Sequence, residues 1–516
     1  METTRATTRE WLGLGLLLLP MLALATDLTV LFFALPAIST DLHASASQTL
    51  WITHVYGFLI AGFLVTAGRL SDRIGPRRLL LIGSAAFAVL SVVAAFATTA
   101  EMLIAVRAAL GIAGATLMPA LFSLLRTMFR DDTQRRTAIA IAFSAFTVGG
   151  AIGPVLGGAL LEYFWWGTVF LVNVPPLVLL LVAGTRLLPE RAERNDARID
   201  PISVVLSVTA MLAIVYGLQE LAAGQSSGGG AAWPQMLCIV VGLGVSALFV
   251  RRQRRIPEPL FDLDLLGHRQ VRVSLVTLLL MGIGVTGMFY LFTQYLMLVA
   301  GLSPLRAGLW TMPYIVLDIA GAMLAPRLAR RWRPEAVVIG GVLIAASGGL
   351  GVAVCSGPAT PLALLVAAIS VVGLGQGMAG AMVSDLIIAS APADKTGSAA
   401  SAQEVGGELG TALGIAAAGV VGILAYRGHL TANLPAEVSD SAREMLQSSV
   451  HEGVAKLPAG EPAVPAAVHA AAGFGLQVYA GIGAVILTLT AGLVIASRFR
   501  SGDRVCQQED DLVCAR

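Results

Sequence analysis

The sequence predicts an all-α integral membrane protein with fourteen spanning helices, grouped six, two and six, and both termini in the cytoplasm. Three observations predict it. Hydrophobic residues make up 56% of the chain and charged residues only 13%, with a mean hydropathy of +0.79; a soluble chain is about a quarter charged. The apolar residues fall in runs of about 20, the length at which a helix crosses a bilayer. The basic residues gather on one side of those runs.

Taken in order, the spans are expected at about 11–34, 50–70, 78–97, 102–124, 137–161, 167–188, 200–220, 233–250, 271–295, 304–328, 335–356, 361–388, 398–425 and 474–497. Arg5 and Arg9 precede the first run, and Ala23-Leu24-Ala25 resembles a signal-peptide cleavage site. The run continues apolar through Leu35 and many spans follow, so it reads as an uncleaved first helix. With both termini inside, all but five of the 34 Lys and Arg lie on the inner side. Arg306, Arg427, Arg443 and Lys456 lie outside, and Arg107 lies within a helix. This is the asymmetry of the positive-inside rule, and a missed or invented span would scramble it. The net charge of +2 is not gathered into one patch, so nucleic acid is not an expected partner.

The organisation follows. Residues 1–188 form a first six-helix bundle, 189–255 a cytoplasmic linker with two inserted helices, 256–500 a second six-helix bundle, and 501–516 a cytoplasmic tail. Segment 426–473 is an extracellular loop whose middle, Ala436 to Lys456, reads either as an amphipathic hairpin or as a polar loop. A weak repeat links Gly68–Arg78 with Pro326–Pro334, which would make the two bundles equivalent. Repeated bundles around a midplane site are the usual plan of secondary transporters. Cys238, Cys355, Cys506 and Cys514 are scattered and imply neither a disulfide framework nor a metal site.

Few ionisable residues lie inside the spans. Asp27 is in span 1, Arg107 in span 4, Asp318 in span 10, and Glu404 and Glu408 share one face of span 13. A charge placed in hydrocarbon is costly, about 2.5–3.5 kcal/mol even on lenient scales. Withdrawing a carboxylate from water favours its protonated form, and wetting or a nearby cation favours the charged form. An acid so placed can exchange a proton for a cation. The alternative is a structural ion pair, such as an acid that satisfies Arg107. His54, Tyr56, Trp310, Tyr314 and Phe33 are the candidates for lining a cavity, since aromatic faces attract lipophilic cations.

Four motifs carry a family resemblance. Gly68-x-Leu70-Ser71-Asp72-Arg73-x-Gly75-x-Arg77-Arg78 resembles the loop between helices 2 and 3 of the major facilitator superfamily, with Pro76 where the family usually has a basic residue. Leu103-x-x-x-Arg107-x-x-x-Gly111-x-x-Gly114 resembles its helix 4 motif. Gly149-x-x-x-Gly153-Pro154-x-x-Gly157-Gly158 resembles the antiporter motif of its drug exporters. Asp27-x-Thr29-x-x-x-x-Ala34-Leu35-Pro36 is similar to the helix 1 motif of the fourteen-spanner drug/proton antiporters, and the chain most resembles the Qac-type quaternary-ammonium efflux pumps. His54 stands where some Qac-type relatives carry an acid.

The resemblance implies a major facilitator fold in the cell (inner or plasma) membrane and proton-coupled export of lipophilic, mainly cationic compounds. It implies Asp27, Asp318, Glu404 and Glu408 as proton-coupling or cation-binding groups. It also implies Asp72 and Arg73, with Gly68 and Gly75, as a charge latch, Arg107 as a structural or coupling partner, and Gly153, Pro154 and Gly157 as a bendable seam. Arg77 and Arg78 read as topology-setting charge. The expected partners are drugs, protons and lipid; the chain is expected to be a monomer without cofactor, driven by the proton gradient. No Walker sequence, His-Glu-x-x-His motif or nucleophile elbow is present. The rival readings are an exporter of a neutral or anionic natural product or lipid, and a non-transporting multispan receptor or membrane enzyme. A channel is a third.

Overall fold

Caps and prolines punctuate an almost wholly helical chain. The computed structural model describes residues 6–190, 200–226, 233–256, 267–357, 360–390, 396–433, 446 and 463–514. Helix α1 spans Thr8–Asp41 and opens on a capping box of Thr7 and Glu10. Helix α2 spans Ala46–Ile74 and opens on Ser45 and Gln48 in the same way. It turns into α3 (Pro76–Ala95) through Gly75, whose φ of +93° suits glycine and few other residues. Helices α4 (Ala100–Met128) and α5 (Asp132–Tyr163) are capped by Thr99 and Asp131. Helix α6 spans Thr168–Leu187 and is interrupted at Val172 and Asn173, ahead of Pro175 and Pro176. Then come α7 (Pro201–Ser226), α8 (Trp233–Gln253) and α9 (Arg269–Leu298), the last containing a π turn at Gly282–Thr286. Helices α10 (Pro304–Ala329), α11 (Pro334–Cys355), α12 (Leu362–Ala389), α13 (Thr396–Asn433) and α14 (Ala463–Cys514) complete the order.

Among the described residues, 12 helices are long and apolar enough to cross a membrane. Helices α2 and α7 are the remaining two, whose described residues include apolar stretches at Val55–Leu64 and Pro201–Ile214. Helix α13 runs to Asn433, past the point where the extracellular loop is expected to begin, and α14 stays helical to Cys514, through the stretch read as a tail.

The chain divides into two compact units. One comprises Met1–Phe261 with Leu296–Met312, the other Asp262–Tyr295 with Pro313–Arg516. In the first unit α1 packs on α5, α2 on α4, and α3 on α4 and α6; α7 and α8 pair as a hairpin whose α7 rests on α2. In the second, α11 packs on α12 and α14, and α13 on α14 and on the π turn of α9.

Most of the expected loop between α13 and α14 lies outside the described residues, as do residues 191–199 of the expected linker. Leu446 is the exception. It is fully buried with Tyr426, Leu430, Val464, Val468 and Ala471, and its carbonyl accepts a 2.9 Å hydrogen bond from the Tyr426 hydroxyl. Leu446 is thus packed against the ends of α13 and α14.

The α7–α8 hairpin is closed by a polar latch where α7 begins and α8 ends. Arg252 donates to both oxygens of Asp200, at 2.9 and 3.1 Å; the Ser203 hydroxyl donates to Asp200, and Gln253 donates to Ser203. Hydrogen bonds from Arg252 hold the Asp200 carboxyl down at about 2, against an ordinary value of 3.8. A depressed pKa gives stabilisation that is complete above the ordinary value and lost as pH falls through the folded one. The latch is therefore expected to hold at neutral pH and to open between about pH 4 and about pH 2. Amide hydrogen exchange at 200–206 and 249–253 should rise over that window, and Asp200→Asn should show the faster exchange already at pH 7.

Candidate functional site

Asp27 is the most enclosed acid among the described residues of the first unit. Its side chain is 0% exposed and that of Arg107 is 1% exposed, and Arg107 Nη1 reaches Asp27 Oδ2 at 2.5 Å. A buried charge pair persists only if the remaining donors and acceptors are also met. Here they are. Asn173 Nδ2 donates to Asp27 Oδ1 at 3.3 Å, and Arg107 Nε donates to the Ile52 carbonyl at 3.2 Å. The guanidinium carbon lies 4.3 Å from the Tyr56 ring centroid and 6.0 Å from that of Phe170, close enough for cation–π attraction.

The local sequence makes this geometry possible. Arg107 sits one turn before Gly111 and two before Gly114. A Cβ on Gly111 would stand 2.5 Å from the Tyr56 carbonyl, and one on Gly114 3.1 Å from Leu24. Glycine at both lets α4 lie against α2 and α1, which brings the arginine beneath Tyr56 and up to Asp27. Asn173 is placed by the break in α6. Sequence reasoning weighed ionisable and aromatic residues and so missed it. The signal available was a lone amide within an apolar span, two residues before a Pro-Pro pair.

The α5 motif packs on the same helix as Asp27. Gly149, Gly153 and Gly157 recur every four residues, and a Cβ on any of them would collide with α1, at Leu22, Thr29 and Val30 respectively. Thr26 Oγ1 donates to the Gly149 carbonyl at 3.2 Å. Pro154 lies within α5 and is buried among these glycines. The seam thus sets how closely α1 approaches α5.

The other predicted residues divide by unit. Phe33 and Tyr56 are buried in the core of the first unit, at 1% and 0% exposure, and not on an open wall. Trp310 belongs to the first unit and is exposed. In the second unit Tyr314 stacks against Phe289, ring centroids 4.7 Å apart. Asp318 is half-buried one turn beyond Tyr314 on α10. Gly373 and Gly377 of α12 lie so close to the Tyr314 and Asp318 backbone that neither admits a Cβ without displacement. Glu404 and Glu408 are half-buried one turn apart on α13, beside Gln403, whose amide donates to Ser384 at 2.9 Å. Neither these two nor Asp318 forms an ion pair among the described residues. The side chains of His54 and Asp72 lie outside the described residues; Arg73 is exposed and Gly68 is uncrowded.

Arg77 and Arg78, read as topology-setting charge, also contact the end of α6 and the residues just beyond it. Arg78 donates to Glu190 at 2.8 and 3.1 Å, Arg77 lies 3.6 Å from the same carboxylate, and Arg77 also donates to the Thr185 carbonyl in the last turn of α6. Arg9 donates to the neighbouring Arg186 carbonyl at 2.7 Å. Cations at a helix C-terminus answer its free carbonyls and its dipole.

Residues 17–415 match the Major Facilitator Superfamily. The chain belongs to that superfamily. It is a multi-pass membrane transporter and not an enzyme. It is 42% identical over 506 residues, 97% of this chain and 98% of the relative, to the multidrug efflux pump LfrA of Mycolicibacterium smegmatis. It is 32% identical to the methyl viologen resistance protein SmvA of Salmonella typhimurium, over 94% of this chain and 98% of the relative. It is also 32% identical to the tetracenomycin C resistance and export protein of Streptomyces glaucescens, over 83% and 79%. The fold resembles a bacterial homolog of the human lysosomal transporter Spinster in its inward-facing, unoccupied conformation, with a TM-score of 0.68 and 16% identity over 95% of this chain and 97% of that one.

Removing one member of the buried pair leaves the other charge uncompensated, at about 3–5 kcal/mol. Arg107→Ala is therefore expected to unfold at a markedly lower temperature in detergent. Asp27→Asn/Arg107→Met, which removes both charges, should recover most of the loss. Differential scanning fluorimetry of the three proteins checks this.

Proposed function

We propose that this transporter exports lipophilic, mainly cationic drugs in exchange for protons by alternating access, conferring drug resistance. Fourteen spans, cytoplasmic termini, the six–two–six grouping and a monomeric state belong to the same reading. The observation that carries it is the set of three half-buried carboxylates, Asp318, Glu404 and Glu408, on membrane-length helices without an ion-pair partner among the described residues. An ionisable group held in a membrane helix without a counter-charge marks a functional position by default. Such acids can hold a proton or attract a cation, and a group that does either in turn couples the two flows. The names of relatives support it: one is a multidrug efflux pump and one a resistance protein for methyl viologen, an organic cation.

In this reading protons from outside occupy the acids of the second unit, reorientation carries them inward, and a cationic drug replaces them. The gradient biases the cycle because binding shifts a two-state equilibrium only by its difference in affinity for the two states. Asp27 has a separate part. Tied to Arg107 and Asn173, it couples by exchanging partners within the first unit. A second reading, export of a neutral or anionic natural product, is favoured by the likeness to the tetracenomycin C export protein.

Reconstituted vesicles with an imposed pH gradient separate the two. Uptake of a fluorescent lipophilic cation is expected with the wild type. Asp318→Asn and Glu408→Gln should each lower it about tenfold or more, as when about 1.4 kcal/mol of coupling is lost. Absence of gradient-driven flux across several cations would overturn the proposal. Loss of cation transport in these variants with retained export of a neutral compound would favour the second reading.

A further inference from the structure

Five residues of α9, Gly282–Thr286, form a π turn inside an otherwise α-helical span. A π turn holds one residue more than the α-helix needs and is often found at functional positions. This one is packed without side chains between it and its neighbour. A Cβ on Gly282 would stand 2.8 Å from the Gly410 backbone, one on Gly410 2.8 Å from the Leu279 carbonyl, and one on Gly414 2.7 Å from the Gly282 carbonyl. On the other flank a Cβ on Gly483 of α14 would stand 3.0 Å from the Gly284 carbonyl. Backbone thus meets backbone where α9 crosses α13.

One side chain closes the junction. Tyr479 of α14 is 1% exposed, and its hydroxyl lies 2.7 Å from the Ile283 carbonyl in the π turn and 3.0 Å from the Gly414 carbonyl in α13. A phenol has one proton and can donate it to one acceptor at a time. The two acceptors belong to two different helices, and α13 is the helix that carries Glu404 and Glu408.

We propose that this junction is a two-position joint. The π turn holds its extra residue in one position and tightens or migrates along α9 in the other. The Tyr479 hydroxyl passes its hydrogen bond from Ile283 to Gly414 as it does so, and α13 shifts with it. Contacts without Cβ atoms let α13 move past α9 without displacing side chains. Packed helices exchange between discrete arrangements and do not deform continuously, so an alternative acceptor at the same hydroxyl is what a second arrangement requires. Tyr479 is then a positioning residue for the α13 acids. What the motion serves rests on the drug/proton exchange proposed above; the joint itself does not.

The test uses full-length protein in lipid nanodiscs and vesicles, with tetraphenylphosphonium as the probe cation. Tyr479→Phe keeps the ring and removes the proton. Deleting Thr286 removes the extra residue and makes the turn α-helical while both flanks keep their phase. In the wild type the probe is expected to change amide exchange at 279–290 and 406–418 together. In Tyr479→Phe the ligand-free exchange of 279–290 should be about tenfold faster, and the two segments should respond separately. In the deletion variant both should stop responding. Turnover of the probe should fall about tenfold in Tyr479→Phe with KM within about threefold, a split that general destabilisation would not produce. Unchanged exchange in Tyr479→Phe, or wild-type turnover in both variants, would overturn the joint. If the wild type moves no cation, the transport proposal fails, and the exchange of ligand-free Tyr479→Phe alone decides the joint.

Discussion

A buried carboxylate must be answered from within the protein, and the first unit is arranged around that demand. Taking Asp27 and Arg107 out of water costs several kcal/mol for each ion before any attraction between them is counted. The cost is met only because α4 can approach α2 at Gly111, because Tyr56 and Phe170 cover the guanidinium, and because the break in α6 delivers Asn173 to the second carboxylate oxygen. A bulkier residue at Gly111 would move the arginine, and an unbroken α6 would carry the amide elsewhere. Three helix motifs that look independent in the sequence therefore act as one construction. The α5 seam belongs to it as well, since its glycines set where α1, and with it Asp27, lies.

The same need for close approach recurs where no charge is involved. In lipid no hydrophobic force draws apolar helices together, so association depends on packing and on small residues at the contact. The α5 glycines against α1 and the α9, α13 and α14 glycines against one another are two solutions to that constraint. They differ in what closes them. The first carries a proline and a threonine-to-carbonyl bond. The second carries a π turn and a tyrosine with a choice of carbonyls. The chemistry of the closing side chain decides whether a seam is a fixed spacer or an element that can change.

Much of this was legible in the sequence because membrane helices announce themselves by length and hydropathy. The all-helical architecture and the family followed, as did the placement of the Asp27, Arg107 and Pro154 motifs within helices; the Gly68–Arg78 segment, read as a loop, is helical on both sides of Gly75. The site was legible only in part. Asp27 and Arg107 stood out as charges in oil, and their pairing was one of the two readings considered. Asn173 did not stand out, since a neutral amide costs little enough to be overlooked. The partner of Arg77 and Arg78, Glu190, lies 112 residues beyond Arg78 at the edge of a charged stretch, where no periodicity identifies a contact. The π turn was hidden for a different reason. Gly282, Gly284 and Gly287 suit an α-helix as well as a π turn, and only the packing of α13 and α14 against them selects one.

The acids fall into two physical kinds, and the distinction bears on mechanism. Asp27 is satisfied: every strong interaction it needs is supplied by Arg107 and Asn173, and displacing it leaves Arg107 buried and uncompensated. In the proposed exchange such a group responds first to whatever moves its partners. Asp318, Glu404 and Glu408 are half-buried and have no such partner among the described residues. A proton or a ligand's charge can answer each of them without first breaking a buried pair. Uptake of charge is therefore easiest in the second unit, while the first can answer it only by rearranging what it already holds. If the proposed exchange holds, the group that takes up charge is separate from the group that registers movement, which lets one be altered by sequence change without losing the other.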